Sequence, residues 1–260
     1  MTSTVLELDG NIIENQQFTD PLTNSFVMRT RFETSKSLSM AEQALAGGLG
    51  KFEPLLSVRD AALPKRALIM ATKADHCLRD LLYLRDLGEM PVEFPAIVAN
   101  HPDLEGLANS HGIPFILLDS GDKAAVESEV VRIAKRERVD FIILARYMQI
   151  LSPEFCAQFN NRIINIHHSF LPGFKGARPY HQAHAKGVKV IGATAHFVTK
   201  DLDEGPIIEQ DVTRVNHAAT PEEFVSIGRD IERRVLSSAV RLFAEDRIFI
   251  VGNRTIVFSK

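Results

Sequence analysis

The sequence predicts an α/β protein in which a doubly wound, mostly parallel sheet is preceded by a small α+β domain. From residue 66 onward, short apolar runs with little polar alternation recur, and stretches with helical periodicity separate them. Strands that are buried on both faces of a parallel sheet have this composition. Before residue 60 the order differs, because two strand-like stretches precede one helix-like stretch. We therefore assign residues 1–60 to a small domain and residues 66–260 to a larger one.

The small domain is expected to begin with a β-hairpin. Residues 11–18 and 25–33 read as strands, and the turn-forming residues 19–24 lie between them. A helix is predicted over residues 39–49, and residues 51–58 are a candidate for a returning strand. The polar, proline-containing segment 59–65 then predicts a linker.

In the larger domain, predicted strands and helices alternate. Leu78, Leu81 and Leu82 form an apolar stripe that Arg85 borders, as expected of a helix that covers a sheet. Such βα alternation predicts a parallel, twisted sheet with helices on both faces. The predicted strands are 67–71, 96–99, 115–118, 141–144 and one that begins at 163 and is ended by Pro172-Gly173, and the predicted helices between them are 76–87, 104–111 and 124–138.

In the last third of the chain, the predicted order of elements departs from the alternation of strands and helices. Residues 190–198 and 207–215 read as paired strands on either side of an acidic loop. Thr220, Pro221 and Glu223 predict the capped start of a long helix that runs to about residue 245. The remaining predicted elements are a helix after Ser152, a loop over 174–180, a short helix over 179–186 and a hairpin over 248–258 that turns at Gly252.

Composition excludes several classes of protein. The chain has 260 residues, enough for one large or two modest domains, and a net charge of −3 without a basic excess, so nucleic acid is not an expected partner. No apolar run approaches the ~20 residues that span a bilayer, and the start lacks the pattern of a secretory signal. Cys77 and Cys156 are expected to be buried thiols, which favours a reducing, cytoplasmic location.

Three polar residues form a candidate catalytic set. Asn165 and His167 alternate along the predicted strand that begins at Ile163 and is ended by Pro172-Gly173, so both side chains should emerge on the same face. Asp203 precedes the turn residues Gly205 and Pro206, which should hold its carboxylate in place. A donor, a titratable ring and a carboxylate are the groups that acid–base chemistry uses. Taken singly, each also fits a structural role, as a satisfied core pair or a turn cap.

The motifs around these residues resemble those of the folate-dependent formyltransferase fold, a family that includes glycinamide ribonucleotide and methionyl-tRNA formyltransferases. The resemblance covers about residues 66–260. The particular residues that this chain has at 167–170, 173–182 and 203–205 are similar to those of the branch of the family that hydrolyses the formylated folate. The shared motifs are Asn165-Ile166-His167, Ser169-Phe170-Leu171-Pro172, His196-Phe197-Val198-Thr199 and residues 202–208.

The resemblance implies hydrolysis of 10-formyltetrahydrofolate to formate and tetrahydrofolate, for one-carbon and purine metabolism, with water as acceptor and no further cofactor. Asn165 would donate to the formyl oxygen, His167 would protonate the leaving nitrogen and Asp203 would orient His167. Whether His167 or Asp203 is the general base stays open. The implied substrate-binding residues are Met148, Gln149, Ile150 and Leu151 around the pterin ring, and His181, His196, Thr199 and Asp201 elsewhere in the site.

The small domain carries a resemblance of its own. This domain resembles an ACT domain, the βαββαβ module that often binds amino acids, but its first strand and most of its first helix are missing before Val5. Sensing of an amino acid is therefore in doubt, and a structural or dimerising role is favoured. We expect a homo-oligomer.

The sequence leaves two alternative functions open and does not predict a metal site. The loop Thr72–His76 has neither Gly-x-Gly-x-x-Gly nor a Walker sequence, and it lacks the glycine-rich phosphate-binding turn of the glycinamide ribonucleotide enzymes, which favours water as the acceptor. The alternatives are a formyltransferase with an amine acceptor and a non-catalytic folate- or amino-acid-binding regulator. No metal is predicted, because the five histidines between residues 167 and 196 do not form a known ligand motif.

Overall fold

The computed structural model describes residues 1–118, 121–173 and 179–259. The chain divides into two compact units, one formed by Met1–Leu63 with the last residues from Phe258, and one formed by Pro64–Val257. The first division lies inside the polar segment 59–65. None of the helices in the described residues has the length and apolar character that a membrane span requires.

The first unit is a hairpin with two helices. Its elements are α1 (Thr2–Glu7), β1 (Asn11–Thr19), β2 (Phe26–Glu33), α2 (Leu38–Leu49) and a 3₁₀ turn (Gly50–Phe52). β1 and β2 pair antiparallel, which confirms the predicted hairpin. The two helices contact each other, and Val5, Leu8 and Leu45 are buried in this unit. Gly48 permits this contact, because a Cβ there would lie 2.3 Å from the Thr4 hydroxyl oxygen.

The strand proposed for residues 51–58 is wrong. After the 3₁₀ turn, Glu53 adopts a left-handed conformation with φ of 47°, and no regular element follows before β3 among the described residues. Pro54 has no N–H to offer a strand ladder. Phe52 and Leu55 are 69% and 107% exposed, so the apolar residues that suggested a strand are not packed.

The second unit alternates strands and helices from residue 65 onward. Its strands are β3 (Lys65–Ala71), β4 (Val92–Glu93), β5 (Ile97–Ala99), β6 (Phe115–Leu117), β7 (Phe141–Ala145), β8 (Ile163–His167), β9 (Val190–Phe197), β10 (Ile207–Arg214), β11 (Ile248–Val251) and β12 (Arg254–Val257). Its helices are α3 (His76–Asp86), α4 (Glu105–Ser110) after a 3₁₀ turn (Pro102–Leu104), α5 (Lys123–Arg136), α6 (Pro153–Gln158), α7 (Pro179–Ala185) and α8 (Pro221–Ala244).

The central sheet has the strand order β10-β9-β8-β7-β3-β5-β6, and the short β4 pairs with β3. The strands from β8 to β6 in this order are parallel, whereas β9 and β10 are antiparallel to their neighbours. The doubly wound, mostly parallel sheet predicted from the sequence is therefore confirmed. β4 was not predicted, because two residues carry no periodicity.

Both faces of this sheet are covered. Along β3, Ala67, Ile69 and Ala71 belong to one apolar cluster together with residues of α3 and α8. Leu68 and Met70, which point the other way, belong to a second cluster with residues of α5 and α6. Burial on both faces explains why these strands lack polar alternation. It also leaves the ends of the strands as the place for polar side chains.

Two features of the last third of the chain bear on the site. The long helix α8 begins with the predicted capping box between Thr220 and Glu223. The β11–β12 hairpin donates from Asn253 Nδ2 to the carbonyl oxygen of Glu204, 3.1 Å away, and so contacts the loop between β9 and β10. Of the predicted loop 174–180, residues 174–178 lie outside the described residues, and Pro179 already begins α7.

Candidate active site

β8 brings Asn165 and His167 to the carboxyl-terminal edge of the parallel strands. The strand is paired on both sides, parallel to β7 and antiparallel to β9. In the register with β9, Asn165 lies opposite His196 and His167 lies opposite Thr194. Opposite residues on neighbouring strands have their side chains close together. The register therefore explains why an amide and an imidazole from distant segments meet.

Asp203 reaches the same place from the loop between β9 and β10. Its own backbone is left-handed, with φ of 56°, which aspartate tolerates better than most residues. Two residues later, Gly205 packs so tightly that a Cβ would lie 1.8 Å from the carbonyl oxygen of Phe197. The loop thus follows β9 closely, and the Gly-Pro pair noted in the sequence fixes the position of the carboxylate.

The four polar side chains converge in a buried cluster. The Nδ1 atom of His167 lies 3.3 Å from Oδ2 of Asp203, and Nε2 of His196 lies 3.6 Å from Oδ1. The Nδ2 atom of Asn165 lies 3.2 Å from Nε2 of His196. The side chains of His167, His196 and Asp203 are only 6%, 2% and 9% exposed. The structure therefore brings the three predicted catalytic residues together, and His196, which was predicted to bind the substrate, lies between Asn165 and Asp203.

The hydrogen bonds of His196 orient the amide of Asn165. The Nδ1 atom of His196 lies 2.9 Å from the carbonyl oxygen of Phe197, so Nδ1–H donates to that oxygen. In the neutral ring, Nε2 then carries a lone pair and accepts from the Asn165 amide nitrogen. Asn165 uses one N–H in this way, which leaves the second N–H as a donor for another group.

The charge distribution in the cluster favours an ionised Asp203. Burial alone would raise the pKa of the Asp203 carboxyl, but the hydrogen bond from His167 and the proximity of the His196 ring, 3.6 Å away, outweigh it and hold the pKa below its ordinary value. On the other side of the His167 ring, Nε2 is buried and has no hydrogen-bond partner in the described part of the chain. An imidazole oriented at Nδ1 and unpartnered at Nε2 has the geometry of a proton carrier.

The predicted folate loop follows β7, the neighbour of β8. Arg146 begins it in a left-handed conformation, with φ of 62°. The backbone N–H of Met148 donates to the hydroxyl of Thr72, 3.0 Å away. Met148 and Ile150 are 56% and 64% exposed, whereas Leu151 packs against the second apolar cluster. Gln149 is also exposed, so the predicted residues form an exposed, partly apolar rim beside β8.

The other predicted binding residues divide into two groups. Thr199 and Asp201 lie in the loop that carries Asp203, where the Thr199 hydroxyl donates to the backbone carbonyl of Asp201. His181 lies on the exposed side of α7 and lines a shallow pocket with Glu222 and Arg229 of α8. Among the described residues, no hydrogen bond joins His181 to the Asn165 cluster.

A second buried polar cluster, which the sequence reasoning missed, lies beside the first. Glu232 of α8 is 1% exposed and accepts hydrogen bonds from Tyr180 and from His76, and its carboxylate also faces Arg146. The neighbouring ring of His168 has a pKa lowered to about 4 by burial and by the charge of Arg146. A sequence signal existed, because Glu232 occupies a position on the apolar stripe of α8.

This second cluster contains the one set of possible metal ligands found in the described residues. The ligand atoms of His76, Cys77 and Glu232 lie within 4.8 Å of one another. However, the Arg146 guanidinium already places a positive charge 3.4 Å from the Glu232 carboxylate. Burial also raises the pKa of the Cys77 thiol well above its ordinary value, which disfavours the thiolate that metals bind. We therefore assign an ion-pair network here and no metal.

The chain is similar to known proteins over nearly its whole length. The model of the formyl transferase family matches residues 65–240. A formyltetrahydrofolate deformylase from Synechocystis is 43% identical over 261 residues, which cover 98% of this chain and 91% of the relative. The crystal structure of a formyltetrahydrofolate deformylase from Burkholderia mallei has a TM-score of 0.94 and 44% identity, and covers 99% of this chain and 93% of that chain.

A glycinamide ribonucleotide transformylase is less similar to this chain than the deformylases are. Glycinamide ribonucleotide transformylase 1 from Symbiobacterium toebii has a TM-score of 0.72 and 31% identity, and the match covers 79% of this chain and 99% of that chain. The family model and the shared fold thus define the class, a formyl transferase fold. Because the full-length relatives share one name, the chain belongs to the formyltetrahydrofolate deformylase family. The resemblance inferred from the motifs is confirmed.

Proposed function

We propose that this protein hydrolyses 10-formyltetrahydrofolate to formate and tetrahydrofolate at the cluster of Asn165, His167 and Asp203. The observation that carries the proposal is the convergence of these side chains, in which one amide N–H of Asn165 is not used by His196 and the Nε2 atom of His167 has no hydrogen-bond partner among the described residues. Family membership supplies the substrate class. The reaction needs only the folate and water, which adds its hydroxyl to the formyl carbon while the leaving nitrogen takes a proton.

Asn165 is proposed to stabilise the developing oxyanion. The N–H that does not bond to His196 would donate to the formyl oxygen, which becomes negative when water adds to the carbon. Because the other N–H is held by His196, the amide cannot rotate freely away from the oxygen. The donor is therefore oriented before the substrate binds, which is the condition under which such donors are most effective.

We assign the general base to His167 rather than to Asp203. The lowered pKa makes the Asp203 carboxylate a weak base, and its two oxygens already face His167 and His196. Nε2 of His167 would take the proton from the attacking water and later donate it to the leaving nitrogen. The Asp203 charge would stabilise the imidazolium that exists between these two steps.

The loop after β7 is proposed to hold the pterin ring. Its exposed side chains Met148 and Ile150 provide an apolar surface after β7, the strand that pairs with β8, and the backbone N–H of Met148 is held by Thr72. Apolar walls combined with a few placed polar groups suit a flat heterocycle with polar edges. Gln149 and Leu151, and in the Asp203 loop Thr199 and Asp201, are the further binding residues that we propose.

The experiment that tests this function is an assay of purified protein with 10-formyltetrahydrofolate in buffer alone. Formation of tetrahydrofolate, followed by absorbance, and of formate in equal amounts is the expected result. A formyltransferase would instead require an amine, so turnover that appears only after glycinamide ribonucleotide is added would contradict the proposal. Binding of the folate without any turnover would favour the non-catalytic alternative.

Other inferences from the sequence stay predictions. These are an ACT-like role for residues 1–60, a cytoplasmic location and self-association into a homo-oligomer. Sedimentation velocity of the full chain measures the last of these, and a single species of monomer mass at assay concentrations would contradict it.

A further inference from the structure

Glu232 holds together side chains from three separate elements. Its Oε2 atom lies 2.8 Å from Nε2 of His76, the first residue of α3. Its Oε1 atom accepts the hydroxyl of Tyr180 of α7 at 2.9 Å. The third partner is Arg146, whose Nε lies 3.4 Å from Oε2 and has no hydrogen-bond partner in the described part of the chain. One carboxylate thus joins α8 to α3, α7 and the loop after β7.

Two of these partners adjoin the proposed folate loop. Arg146 is the residue with which that loop leaves β7. The hydroxyl of Thr72 accepts the Met148 N–H, and His76 follows Thr72 after one short turn. β7 and β3 are adjacent and parallel in the sheet, so their carboxyl ends lie side by side. Glu232 therefore contacts both segments from which the loop is supported.

The helix α8 is adapted to this contact. Gly228 lies one turn before Glu232, and a Cβ at that position would lie 2.2 Å from Cζ of Tyr180. Glycine weakens the interior of a helix, yet here it leaves the space through which Tyr180 reaches the carboxylate. The arrangement thus depends on a locally unfavourable residue.

Stability alone is a poor reason for such a cluster. Burying a carboxylate and a guanidinium removes both from water, and well-packed apolar residues of similar volume are often as stabilising or more so. Burial raises the pKa of the Glu232 carboxyl, but the hydrogen bond from His76 and the charge of Arg146 outweigh it and keep the pKa lowered. What apolar residues cannot supply is a negative charge 3.4 Å from the guanidinium of Arg146, the left-handed residue at which the loop begins.

We propose that Glu232 is a positioning residue for folate binding, which acts by fixing Arg146 and with it the start of the loop 146–151. The inference rests on the proposed function, because that function assigns the pterin ring to this loop. It predicts that the carboxylate affects the affinity for the folate, whereas Asn165, His167 and Asp203 affect the rate of the chemical step.

The test compares Glu232→Gln with the wild type in two measurements. The first is steady-state hydrolysis of 10-formyltetrahydrofolate, and the second is calorimetric titration with tetrahydrofolate, which needs no turnover. The amide keeps the shape of the side chain but loses its charge. We expect KM and the Kd of tetrahydrofolate to rise by about tenfold, the scale of one hydrogen bond to a charged group, with kcat changed less than about threefold. Unchanged KM and Kd would overturn the proposal.

Asp230→Asn is the matched control. Asp230 is on the same helix, its side chain is 65% exposed, and it pairs with Arg233 at the surface. This variant should keep the wild-type Kd. A merely structural role of Glu232 would lower the folded fraction, and hence the apparent kcat and the number of sites in the titration, while leaving KM and Kd unchanged. That pattern would contradict the inference.

A second pair of variants tests the link through Arg146. Arg146→Gln should raise KM and Kd to a similar extent, and the double variant with Glu232→Gln should be no worse than either single variant, since both remove the same contact. Additive effects would overturn the route through Arg146. If Glu232→Gln does not fold, Arg146→Gln alone still decides the question, because an unchanged Kd in that variant contradicts the proposal.

Failure of the proposed function gives a different result. If the wild type releases no formate but binds tetrahydrofolate, and Glu232→Gln weakens that binding, the positioning role stands and the assigned reaction does not. If the wild type hydrolyses the folate and the variant binds it unchanged, the reaction stands and the positioning role does not.

Discussion

Asp203 and Glu232 are two buried carboxylates with similar electrostatics and different surroundings. Each has a pKa that burial raises and that hydrogen bonds from neighbouring side chains bring below the ordinary value. Asp203 lies in a loop, and its partner His167 has a second ring nitrogen without a protein partner among the described residues. Glu232 lies in the middle of the longest helix, and its contacts are with Tyr180, His76 and Arg146.

The comparison shows that a shifted pKa does not by itself identify a catalytic group. Structural ion-pair networks shift pKa values as well as active sites do. In both regions a partner of the carboxylate keeps a buried nitrogen without a hydrogen-bond partner among the described residues, Nε2 of His167 beside Asp203 and Nε of Arg146 beside Glu232. The regions differ in what that nitrogen can do, because an imidazole can take up and release a proton whereas a guanidinium stays protonated. We therefore assign the His167 side to the chemistry and the Glu232 side to positioning.

The largest expected effects come from the Asp203 region. Asp203→Asn and Asn165→Ala should each lower kcat for formate release by about 10²–10³-fold, because one loses the charge that stabilises the imidazolium and the other loses the oxyanion donor. KM should change little. Asp211→Asn, an exposed residue paired with Arg234, is the control and should keep the wild-type rate. Near-wild-type kcat in both site variants would remove the distinction between the two carboxylates.

His168, whose ring lies near both His167 and Tyr180, gives a pH-dependent prediction. Burial, together with the charge of Arg146, lowers its pKa from 6.5 to about 4. Between these values the unfolded chain holds a proton that the folded protein does not. The folded protein therefore loses stability as the pH falls from 6.5 to 4, by up to about 3 kcal/mol from this residue.

The measurement is the free energy of urea unfolding at pH 7, 5.5 and 4.5, for the wild type and for His168→Gln. The variant should show a smaller loss of stability between pH 7 and 4.5. If the two proteins lose the same amount, His168 is not the group that becomes protonated on unfolding, and the electrostatic account of the region between the two carboxylates is wrong.

The smallest expected effect concerns the second support of the folate loop. Thr72→Val leaves the Met148 N–H without its acceptor, at a cost of about 1 kcal/mol, so we expect KM to rise by about fivefold with kcat unchanged. Thr72→Ser retains a hydroxyl and should restore the wild-type KM. An increase in KM that serine does not reverse would show that packing of the side chain, rather than the hydrogen bond, supports the loop.

Most of the fold, and the candidate set of Asn165, His167 and Asp203, could be predicted from the sequence. Strand alternation predicted that Asn165 and His167 share a face, and turn residues predicted a fixed Asp203, but the resemblance to a known family was what joined the three into one candidate site. The two strands that flank Asp203 were recognisable from their own patterns, and their predicted pairing is confirmed and is antiparallel. Each of these inferences depends on contacts between residues that are near in sequence or on a motif that the chain shares with a known family.

The Glu232 network was not predictable in the same way. His76, Arg146, Tyr180 and Glu232 come from four elements spread over more than half of the chain, and only packing brings them together. The acid on an apolar helical stripe was a visible signal, yet its partners were not. The strand proposed for residues 51–58 failed for the opposite reason, because apolar composition suggested burial that this segment does not have.

The central claim is that the cluster activates water, and the origin of the oxygen in the product tests it most directly. The protein is incubated with 10-formyltetrahydrofolate in H₂¹⁸O without any amine, and the formate is analysed by mass spectrometry. The account predicts one ¹⁸O atom in each formate released, with equimolar tetrahydrofolate, and a rate that falls with Asp203→Asn. Unlabelled formate, or no formate until an amine is added, would contradict it.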